Sequence, residues 1–334
     1  MKSLRVGIIG LGVGEAHAEG YSRHPQCAVA AVCDFEEEKL AKAKKKYPGV
    51  KVTKEADEIL EDPGVDVISI ASYDSDHFAQ VVKGLNHGKH LFVEKPVCQF
   101  EAELIQIKEI LQSQPELQFY SNLILRKSPR FQRLKEMMDA GKLGRPFYVE
   151  GDYNYGRLHK ITDGWRGKLD FYSVTQGGGV HMIDLLLWLT GDRVEEVSTY
   201  GNAICSEGTG FNSKDMVVSL LKFRSGMVGK VASNFGCMFP HFHRFLIYGT
   251  SATFENGFEN GFLYESREPG IKPTMIDAPY PGMQKWALIQ GFVDAILQGG
   301  ACEVTKEDIF DTLCVCFAIE KSLQESRPVK VAYI

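Results

Sequence analysis

The chain has 334 residues, more than the roughly 250 to 300 that one hydrophobic core usually serves, so two domains are expected. Hydrophobic residues make up 44% and charged residues 24%, with a net charge of -5, which is typical of a globular protein rather than a disordered or fibrous one. No strong basic field is present, which excludes nucleic acid and an anionic membrane surface as the main partner.

The cysteines and the apolar runs of the sequence indicate the cellular compartment of the protein. Eight cysteines occur, without a Cys-x-x-Cys pair or a compact His/Cys cluster, so we predict no metal site and no disulfide framework. No apolar run approaches the roughly 18 residues that span a membrane. The first residues also fit a short signal peptide, but glycines at 7, 10, 12 and 14 interrupt its apolar stretch. We therefore expect a cytoplasmic protein with no membrane partner.

Residues 4 to 124 alternate short apolar runs with amphipathic stretches. The predicted strands are Leu4–Ile9, Ala28–Cys33, Val65–Ala71, Leu91–Val93 and Leu117–Ile124. The predicted helices lie near 15–23, 36–46, 55–61, 76–88 and 101–113. Continuous apolar strands alternating with helices imply parallel pairing with both sheet faces covered. The sequence therefore predicts a doubly wound parallel sheet of the Rossmann class in an N-terminal domain of residues 1–124.

A glycine-rich loop follows the first predicted strand. Gly10 and Gly12 fit the pattern G-x-G-x-x-G, whereas the third position falls on Glu15, with Gly14 one residue early. Such a loop lets backbone N–H groups approach a pyrophosphate at the positive N-terminus of a helix. We predict that Gly10, Gly12, Val13 and Gly14 bind a dinucleotide; the alternative is a glycine-rich turn without a ligand.

Asp34 ends the second predicted strand about 20 residues after the loop, the position of a ribose-binding acid. A carboxylate there accepts hydrogen bonds from a ribose 2'-hydroxyl and repels a 2'-phosphate. Glu36, Glu37 and Glu38 add negative charge and no arginine is near, so NAD is favoured over NADP. The alternative, compatible with the first role, is that Asp34 caps the following helix.

Glu94-Lys95-Pro96 ends another predicted strand, at the sheet edge where ligands bind in doubly wound folds. A lysine beside a bound nicotinamide ring can hydrogen-bond a substrate oxygen or relay its proton. Lys95 is therefore a candidate catalytic residue. The alternative is an ordinary surface lysine at the end of a strand.

Residues 125–334 have a different pattern and are assigned to a second domain. Strands are predicted at 147–155, 195–204, 215–223, 226–236 and 243–249, and helices at 131–140, 178–190, 285–298 and 305–325. Long strands joined by short turns indicate an α+β domain with a large, mostly antiparallel, open sheet. Because an open sheet exposes its edges and one face, we expect a homodimer or homotetramer.

The predicted helix at 178–190 carries a histidine near its start. His181, Asp184, Leu185 and Trp188 share one helical face through their i, i+3, i+4 and i+7 spacing. A histidine in that position can take a hydroxyl proton near neutral pH. On the sequence alone, a buried structural histidine explains His181 equally well.

These motifs together resemble the Gfo/Idh/MocA family, which includes glucose-fructose oxidoreductase and inositol dehydrogenase. The resemblance is carried by Gly10–His17, the loop Ala71–His77, Glu94-Lys95-Pro96, and the segment Gly177–Asp184 with its glycine cluster and His-x-x-Asp. It extends over nearly the whole chain.

The resemblance implies roles for individual residues. Lys95 and His181 become the catalytic candidates, and Asp184 belongs with His181 beside the substrate. The residues implied to line the cofactor site are Ser72, Tyr73, His77, Glu94 and Lys95.

Many family members carry an aspartate four residues before the histidine, where this chain has Gly177. Gln176, Thr175 and Asp170 lie nearby without matching the motif. The proton relay is therefore expected either to be rearranged or to use Lys95 and His181 alone.

The segment 156–176 before the glycine cluster is long and aperiodic, as functional or disordered loops are. Its Trp165-Arg166 pair resembles a Trp-Arg of the family and is expected to face cofactor or substrate. Arg126 and Arg157 are candidates for gripping an anionic substrate group. Surface salt bridges explain these two arginines equally well.

We expect reversible transfer of a hydride between NAD and a secondary hydroxyl or keto group of a sugar, an inositol or a nucleotide sugar. In this hypothesis Lys95 polarises the reacting oxygen and His181 carries its proton. Two alternatives stay open. One is a redox-neutral, NAD-dependent glycoside hydrolase, and the other is a non-catalytic sensor that binds a dinucleotide.

Overall fold

The computed structural model describes residues 3–299 and 303–334. The chain divides into two compact units, the first formed by Met1–Ile124 and Gln284–Ile309 and the second by Leu125–Met283 and Phe310–Ile334. The first break falls between residues 124 and 125, where the sequence analysis placed its boundary. The segment Gln284–Ile309, in contrast, was assigned to the second domain and belongs to the first unit.

The first unit contains a six-stranded parallel sheet of order β3-β2-β1-β4-β5-β6. Its strands are β1 Leu4–Ile9, β2 Cys27–Cys33, β3 Lys51–Thr53, β4 Val67–Ile70, β5 His90–Val93 and β6 Phe119–Ser121. The helices of this part are α1 Gly14–Ser22, α2 Glu37–Lys46, α3 Asp57–Leu60, α4 Asp74–Asn86 and α5 Glu101–Ser113. This strand order is that of the Rossmann fold. The predicted doubly wound sheet is confirmed.

Burial explains why the central strands could be recognised. Val6 and Ile8 on β1, and Val67 and Ile68 on β4, are fully buried, because helices cover both faces of a doubly wound sheet. The edge strand β3 has only three residues, begins with an exposed lysine and forms no apolar run. The sequence analysis missed it for that reason.

The second unit contains a nine-stranded sheet of order β14-β13-β12-β11-β7-β10-β9-β8-β15. Its strands are β7 Pro146–Asn154, β8 Val194–Asn202, β9 Met216–Phe223, β10 Val228–Asn234, β11 Phe242–Gly249, β12 Thr253–Asn256, β13 Gly261–Tyr264, β14 Thr274–Ile276 and β15 Val329–Lys330. The remaining helices of the chain are α6 Pro129–Asp139, α7 His159–Thr162, α8 Val180–Thr190, α9 Ile289–Gln298 and α10 Lys306–Glu325. β7 and β10 pair in parallel, and the other pairs are antiparallel.

The predicted α+β class with a mostly antiparallel sheet is confirmed. Four short strands, β12 to β15, were not predicted, because segments of two to four residues show too little alternation. The aperiodic stretch after β7 contains the one-turn helix α7 and a 3-10 turn at Trp165–Lys168. None of the helices in the described ranges is long and apolar enough to cross a membrane.

The helix α9 belongs to the first unit because of its aromatic packing. Phe292 on α9 lies with its ring centroid 5.6 Å from that of Phe92 on β5 and 4.9 Å from that of Tyr120 on β6. All three side chains are fully buried. A helix from the C-terminal third of the chain thus completes the core beside the last two strands of the parallel sheet.

In the second unit, α8 packs closely on the centre of β7. Gly151 permits this approach, since a Cβ there would lie 2.8 Å from the Met182 side chain and 2.9 Å from the Leu186 side chain. The same helix carries Asp184, which is fully buried and forms an ion pair with Arg126. The Arg126 Nε donates to Oδ2 at 3.1 Å and Nη2 donates to Oδ1 at 2.5 Å, so the contact has the bidentate geometry that favours arginine.

We predict that Asp184→Asn lowers the free energy of unfolding by about 3 to 5 kcal/mol, because it leaves the Arg126 charge buried without its counter-ion. Urea denaturation followed by tryptophan fluorescence measures this, since the Trp188 ring lies 5.8 Å from the Arg126 guanidinium carbon. The double variant Arg126→Met/Asp184→Leu is the control and should recover most of the loss, since an apolar pair replaces the buried charges. Wild-type stability in Asp184→Asn would contradict the prediction.

Candidate functional site

The loop between β1 and α1 has the geometry that a bound pyrophosphate requires. Gly10 has φ +83°, and a side chain there would collide with the backbone oxygen of Ala71. Gly12 faces open space, with no atom within 4 Å of the place that a Cβ would occupy. Gly14 begins α1 and lies against β1, since a Cβ there would be 2.9 Å from Ile8. The backbone is therefore free to approach a phosphate at Gly12 while the two flanking glycines allow the tight turn.

Asp34 lies directly after β2, is 5% exposed, and is held by backbone donors. Its Oδ2 accepts a hydrogen bond of 2.7 Å from the backbone N–H of Leu11, and its Oδ1 accepts one of 2.9 Å from that of Glu36. It therefore ties the glycine loop to the start of the next helix. Each carboxylate oxygen has more than one acceptor site, so ribose hydroxyls can still bind here. The capping role and the ribose role are compatible.

The loop after β4 holds three of the predicted cofactor residues. Ser72 donates a hydrogen bond of 2.8 Å from its Oγ to Gln80, and the Tyr73 ring lies 5.9 Å from the ring of Phe35. His77 is fully buried, and its two ring nitrogens lie 2.6 Å from the Pro96 oxygen and 3.3 Å from the Ser72 oxygen. His77 thus links two loops of the sheet edge by their backbones.

Glu94 follows β5 and is held by two donors from other elements. His17 on α1 places its Nε2 3.2 Å from Glu94 Oε1, and Asn122, after β6, donates a hydrogen bond of 2.7 Å to the same oxygen. The other nitrogen of His17 lies 2.9 Å from the Ser69 hydroxyl on β4. Burial raises the pKa of Glu94, but the contact with His17 and the nearby Lys95 and Asn122 outweigh it and lower the pKa to about 2.

Lys95 is consequently fixed through both of its neighbours. Glu94 is anchored by its carboxylate, and the carbonyl of Pro96 is bound by His77. The lysine itself is half-buried. The sequence analysis did not assign functions to His17 or Asn122. The signal for His17 lay within the glycine-loop motif, whereas nothing local distinguished Asn122.

The predicted site residues of the first unit therefore lie together at one edge of the parallel sheet. The glycine loop, Asp34, the loop after β4 and the pair Glu94–Lys95 each follow the carboxyl end of a parallel strand. Ligands of doubly wound sheets bind along this edge. The open space at Gly12 and the oriented carboxylate of Asp34 fit a dinucleotide. NAD, when bound here, supplies the chemistry of accepting or returning a hydride.

In the second unit, His181 belongs to a cluster of aromatic rings. It lies on the first turn of α8, is 9% exposed, and its ring lies 6.2 Å from that of Tyr153 and 6.4 Å from that of His243. The glycines before it form a π-helical turn, Thr175–Gly179. A Cβ at Gly178 would collide with the Tyr153 ring, so this glycine is needed for the close packing.

Several members of this cluster were missed by the sequence analysis: Tyr153, Tyr155, Phe235, His241, His243 and Tyr280. Burial and, secondarily, Arg157 lower the pKa of His241 to about 4. Burial, with smaller contributions from His241 and His181, lowers the pKa of His243 well below its usual value. Both histidines are therefore neutral near pH 7. His243 lies on the alternating strand β11 and the more exposed His241 lies just before it, and the strand pattern alone assigned no function to either.

The missing aspartate at Gly177 has a structural counterpart. A Cβ at this position would collide with the hydroxyl of Tyr172, so a tyrosine hydroxyl occupies the space of a side chain at position 177. Tyr172 is buried and its ring lies 6.5 Å from that of Trp165. Arg166 places its guanidinium 4.4 Å from the Trp165 ring and 5.9 Å from the Tyr172 ring. The predicted Trp165-Arg166 pair thus packs around Tyr172.

The arginines proposed as anion-binding residues have other observed contacts. Arg126 pairs with Asp184 in the core, which gives both residues a structural role. Arg157 lies over the ring of Tyr155, 5.2 Å from its centroid. Among the described residues, no group of three or more His, Cys, Asp or Glu side chains is arranged to hold a metal ion.

Comparisons with known proteins agree with this geometry. Residues 4–121 match a family model described as "Oxidoreductase family, NAD-binding Rossmann fold", and residues 131–255 match the GFO/IDH/MocA C-terminal domain. The chain is 25% identical to myo-inositol 2-dehydrogenase of Thermotoga maritima, over 98% of both chains. It is 24% identical to the NAD(+)-dependent scyllo-inositol 2-dehydrogenase of Bacillus subtilis, over 75% of this chain and 72% of that protein.

Solved structures show the same fold. Levoglucosan dehydrogenase in complex with NADH is 20% identical and superposes with a TM-score of 0.88 over 100% of both chains. Myo-inositol 2-dehydrogenase from Lactobacillus plantarum is 19% identical, with a TM-score of 0.85 over 99% of this chain and 100% of that one. The two family models together cover most of this sequence, and the chain therefore belongs to the Gfo/Idh/MocA family of oxidoreductases, which has an NAD-binding Rossmann fold.

Proposed function

We propose that this protein is an NAD-dependent dehydrogenase that transfers a hydride between NAD and a secondary hydroxyl or keto group of an inositol or another sugar-like polyol. The observation that carries the proposal is the position of Lys95. It is anchored at the edge of the parallel sheet that also holds the glycine loop and Asp34. A lysine fixed at the cofactor edge is suited to bind an oxygen of the reacting carbon. The names of the inositol and levoglucosan dehydrogenases that the chain resembles support this substrate class.

In the proposed reaction, Lys95 donates a hydrogen bond to the reacting oxygen and orients it, and His181 takes the hydroxyl proton during oxidation. Burial lowers the pKa of His241 and of His243, which makes both weak proton acceptors and leaves His181 as the proposed proton carrier of its ring cluster. The ionised carboxylate of Glu94 places a negative charge next to Lys95 in the sequence. Trp165, Arg166 and Tyr172 are proposed to border the substrate.

Two other functions are less well supported. A redox-neutral glycoside hydrolase and a dinucleotide-binding sensor were both compatible with the sequence. The related proteins named above are dehydrogenases, and this chain has both Lys95 and His181. Neither alternative has a specific observation in its favour.

We further propose that the protein is a cytoplasmic homodimer or homotetramer. Support for the assembly comes from large apolar side chains exposed along the strands of the second unit, including Tyr200, Leu220 and Val228. Support for a reducing compartment comes from cysteines with free thiols, among them the buried Cys33 and Cys316. Light scattering of the purified protein tests the assembly.

A substrate screen tests the dehydrogenase assignment. NAD and NADP are each offered with myo-inositol, scyllo-inositol and levoglucosan, and formation of the reduced cofactor is followed by absorbance. Reduction of NAD by at least one of these polyols is the expected result. NAD binding in calorimetry without reduction by any of them would overturn the proposed function.

For Lys95→Ala we predict that kcat falls by roughly a hundredfold to ten-thousandfold, because the reacting oxygen loses the hydrogen-bond donor that polarises and orients it. Calorimetry with NAD separates a loss of chemistry from a loss of cofactor binding. Lys42→Ala, which changes an exposed lysine on α2, is the control and should leave kcat unchanged. Normal turnover by Lys95→Ala would refute the assignment.

For Asp34→Asn we predict that the KM for NAD rises between roughly 10- and 100-fold, because a charged hydrogen-bond acceptor for the ribose is lost. The preference for NAD over NADP should fall as well, since the negative charge that repels a 2'-phosphate is removed. The amide oxygen of the new side chain can still accept the Leu11 N–H, which limits damage to the loop.

Initial rates with both cofactors measure the effect of Asp34→Asn. Glu37→Gln, on the exposed side of α2, is the matched control for removing one negative charge nearby. An unchanged ratio of NAD to NADP efficiencies in Asp34→Asn would show that Asp34 only caps the following helix.

A further inference from the structure

His243, on β11, is bound to Tyr280 at two points. The backbone N–H of His243 donates a hydrogen bond of 2.9 Å to the Tyr280 hydroxyl oxygen, and the Nδ1 of the same histidine lies 2.6 Å from that oxygen. The imidazole is 8% exposed. Asn256 fixes the backbone further by donating a hydrogen bond of 2.8 Å to the His243 carbonyl.

This arrangement determines where the proton of the imidazole lies. The Tyr280 oxygen accepts the backbone N–H, and its own O–H is available to donate. The Nδ1 of His243 lies 2.6 Å from that hydroxyl, and the nearby Asn256 donates its amide N–H to the His243 carbonyl. Burial raises the pKa of Tyr280, so the phenol keeps its proton. Nδ1 is therefore the acceptor, and the ring proton lies on Nε2.

The Nε2–H group is directed away from Tyr280 and has no hydrogen-bond partner among the described residues. Around it are the rings of Tyr153 at 5.3 Å, His241 at 4.9 Å and His181 at 6.4 Å. Because the His243 side chain is only 8% exposed, little water reaches this N–H, and a binding partner with an acceptor oxygen would satisfy it.

We propose that His243 is a substrate-binding residue whose Nε2–H donates a hydrogen bond to a second oxygen of the polyol, next to the oxygen whose proton His181 carries. Tyr280 is the positioning residue that holds His243 in this tautomer. The inference rests on the proposed dehydrogenase function and adds to it a requirement for two oxygens on neighbouring carbons. A vicinal diol fits this requirement, whereas an isolated secondary alcohol leaves the Nε2–H unpaired.

The groups facing His243 are consistent with a constant donor. His181 and His241 lie on one side, Tyr280 on the other, and the guanidinium of Arg130 lies 5.1 Å from the Tyr280 ring. None of these is a carboxylate that would favour a second proton on His243. The imidazole of His243 therefore stays a neutral N–H donor over the pH range in which the enzyme works. It does not compete with His181 for the substrate proton.

Three variants of His243 distinguish loss of the Nε2–H donor from loss of ring packing. The glutamine of His243→Gln places its amide N–H near the position of Nε2, whereas the asparagine of His243→Asn places its amide near Nδ1. His243→Phe keeps a ring in the cluster and removes the donor. With myo-inositol and NAD, we expect KM for myo-inositol to rise roughly tenfold or more in His243→Phe and His243→Asn, and to be largely restored in His243→Gln.

The split between KM and kcat identifies the role. Loss of a binding contact raises KM with little change in kcat, whereas loss of the proton carrier lowers kcat. KM for NAD is expected to stay unchanged in all three variants. His87→Phe, which replaces an exposed histidine at the end of α4, is the matched control and should behave as wild type.

Tyr280→Phe tests the positioning role of Tyr280. The readout is the tautomer of His243, which a change in packing alone does not alter. Nitrogen-15 spectra of histidine-labelled protein distinguish a protonated from an unprotonated ring nitrogen. In wild type we expect His243 to show one tautomer, with Nδ1 unprotonated. In Tyr280→Phe we expect a mixture of both tautomers and a KM for myo-inositol that is raised severalfold.

The outcomes are separable. Wild-type turnover of myo-inositol with unchanged KM in His243→Phe would overturn the inference and leave the proposed function intact. A protonated Nδ1 in wild type would overturn the tautomer assignment and with it the inference. Failure of the wild type to oxidise any vicinal polyol would overturn the proposed function itself.

Discussion

The largely buried carboxylate of Glu94 is the constraint on which the first unit depends. A charge removed from water needs donors, and the structure supplies them from two distant parts of the chain, His17 on α1 and Asn122 after β6. Because these groups meet at one oxygen, the position of β5 relative to the first helix and the last strand is fixed at the sheet edge. The same contacts hold the backbone of Lys95, so the requirement to satisfy a buried charge and the requirement to place a reactive lysine are met together.

Much of this unit could be predicted because its information is local. Buried central strands such as β1 and β4 appear as mostly apolar runs, and Gly10 and Asp34 stand at fixed offsets from strand ends. The contact between Glu94 and Asn122 joins residues 28 positions apart, and that between His17 and Asn122 joins residues 105 apart. The periodicity of apolar residues does not predict such long-range contacts, so no role was predicted for His17 or Asn122.

The fold class of the second unit could be predicted from the sequence, whereas most residues of its candidate site could not. Long strands alternate clearly, whereas β12 to β15 are too short to do so. His181 could be recognised through its motif, but its neighbours Tyr153 and His243 lie on two different strands that only the folded sheet brings together. The collision between Tyr172 and a side chain at Gly177 is likewise a property of the packed loop. Arg126 illustrates the opposite case, in which a residue that looked available for an anion is used to neutralise Asp184.

The return of the chain to the first unit at Gln284–Ile309 has a consequence for biosynthesis. Residues 1–124 leave the ribosome first, but Phe292, which covers Phe92 and Tyr120, is translated only after nearly all strands of the second sheet. An aromatic surface on the nascent parallel sheet therefore stays uncovered while the second unit is being made. Premature termination anywhere before residue 289 would release a polypeptide with that surface exposed, a feature by which chaperones and proteases recognise unfinished chains.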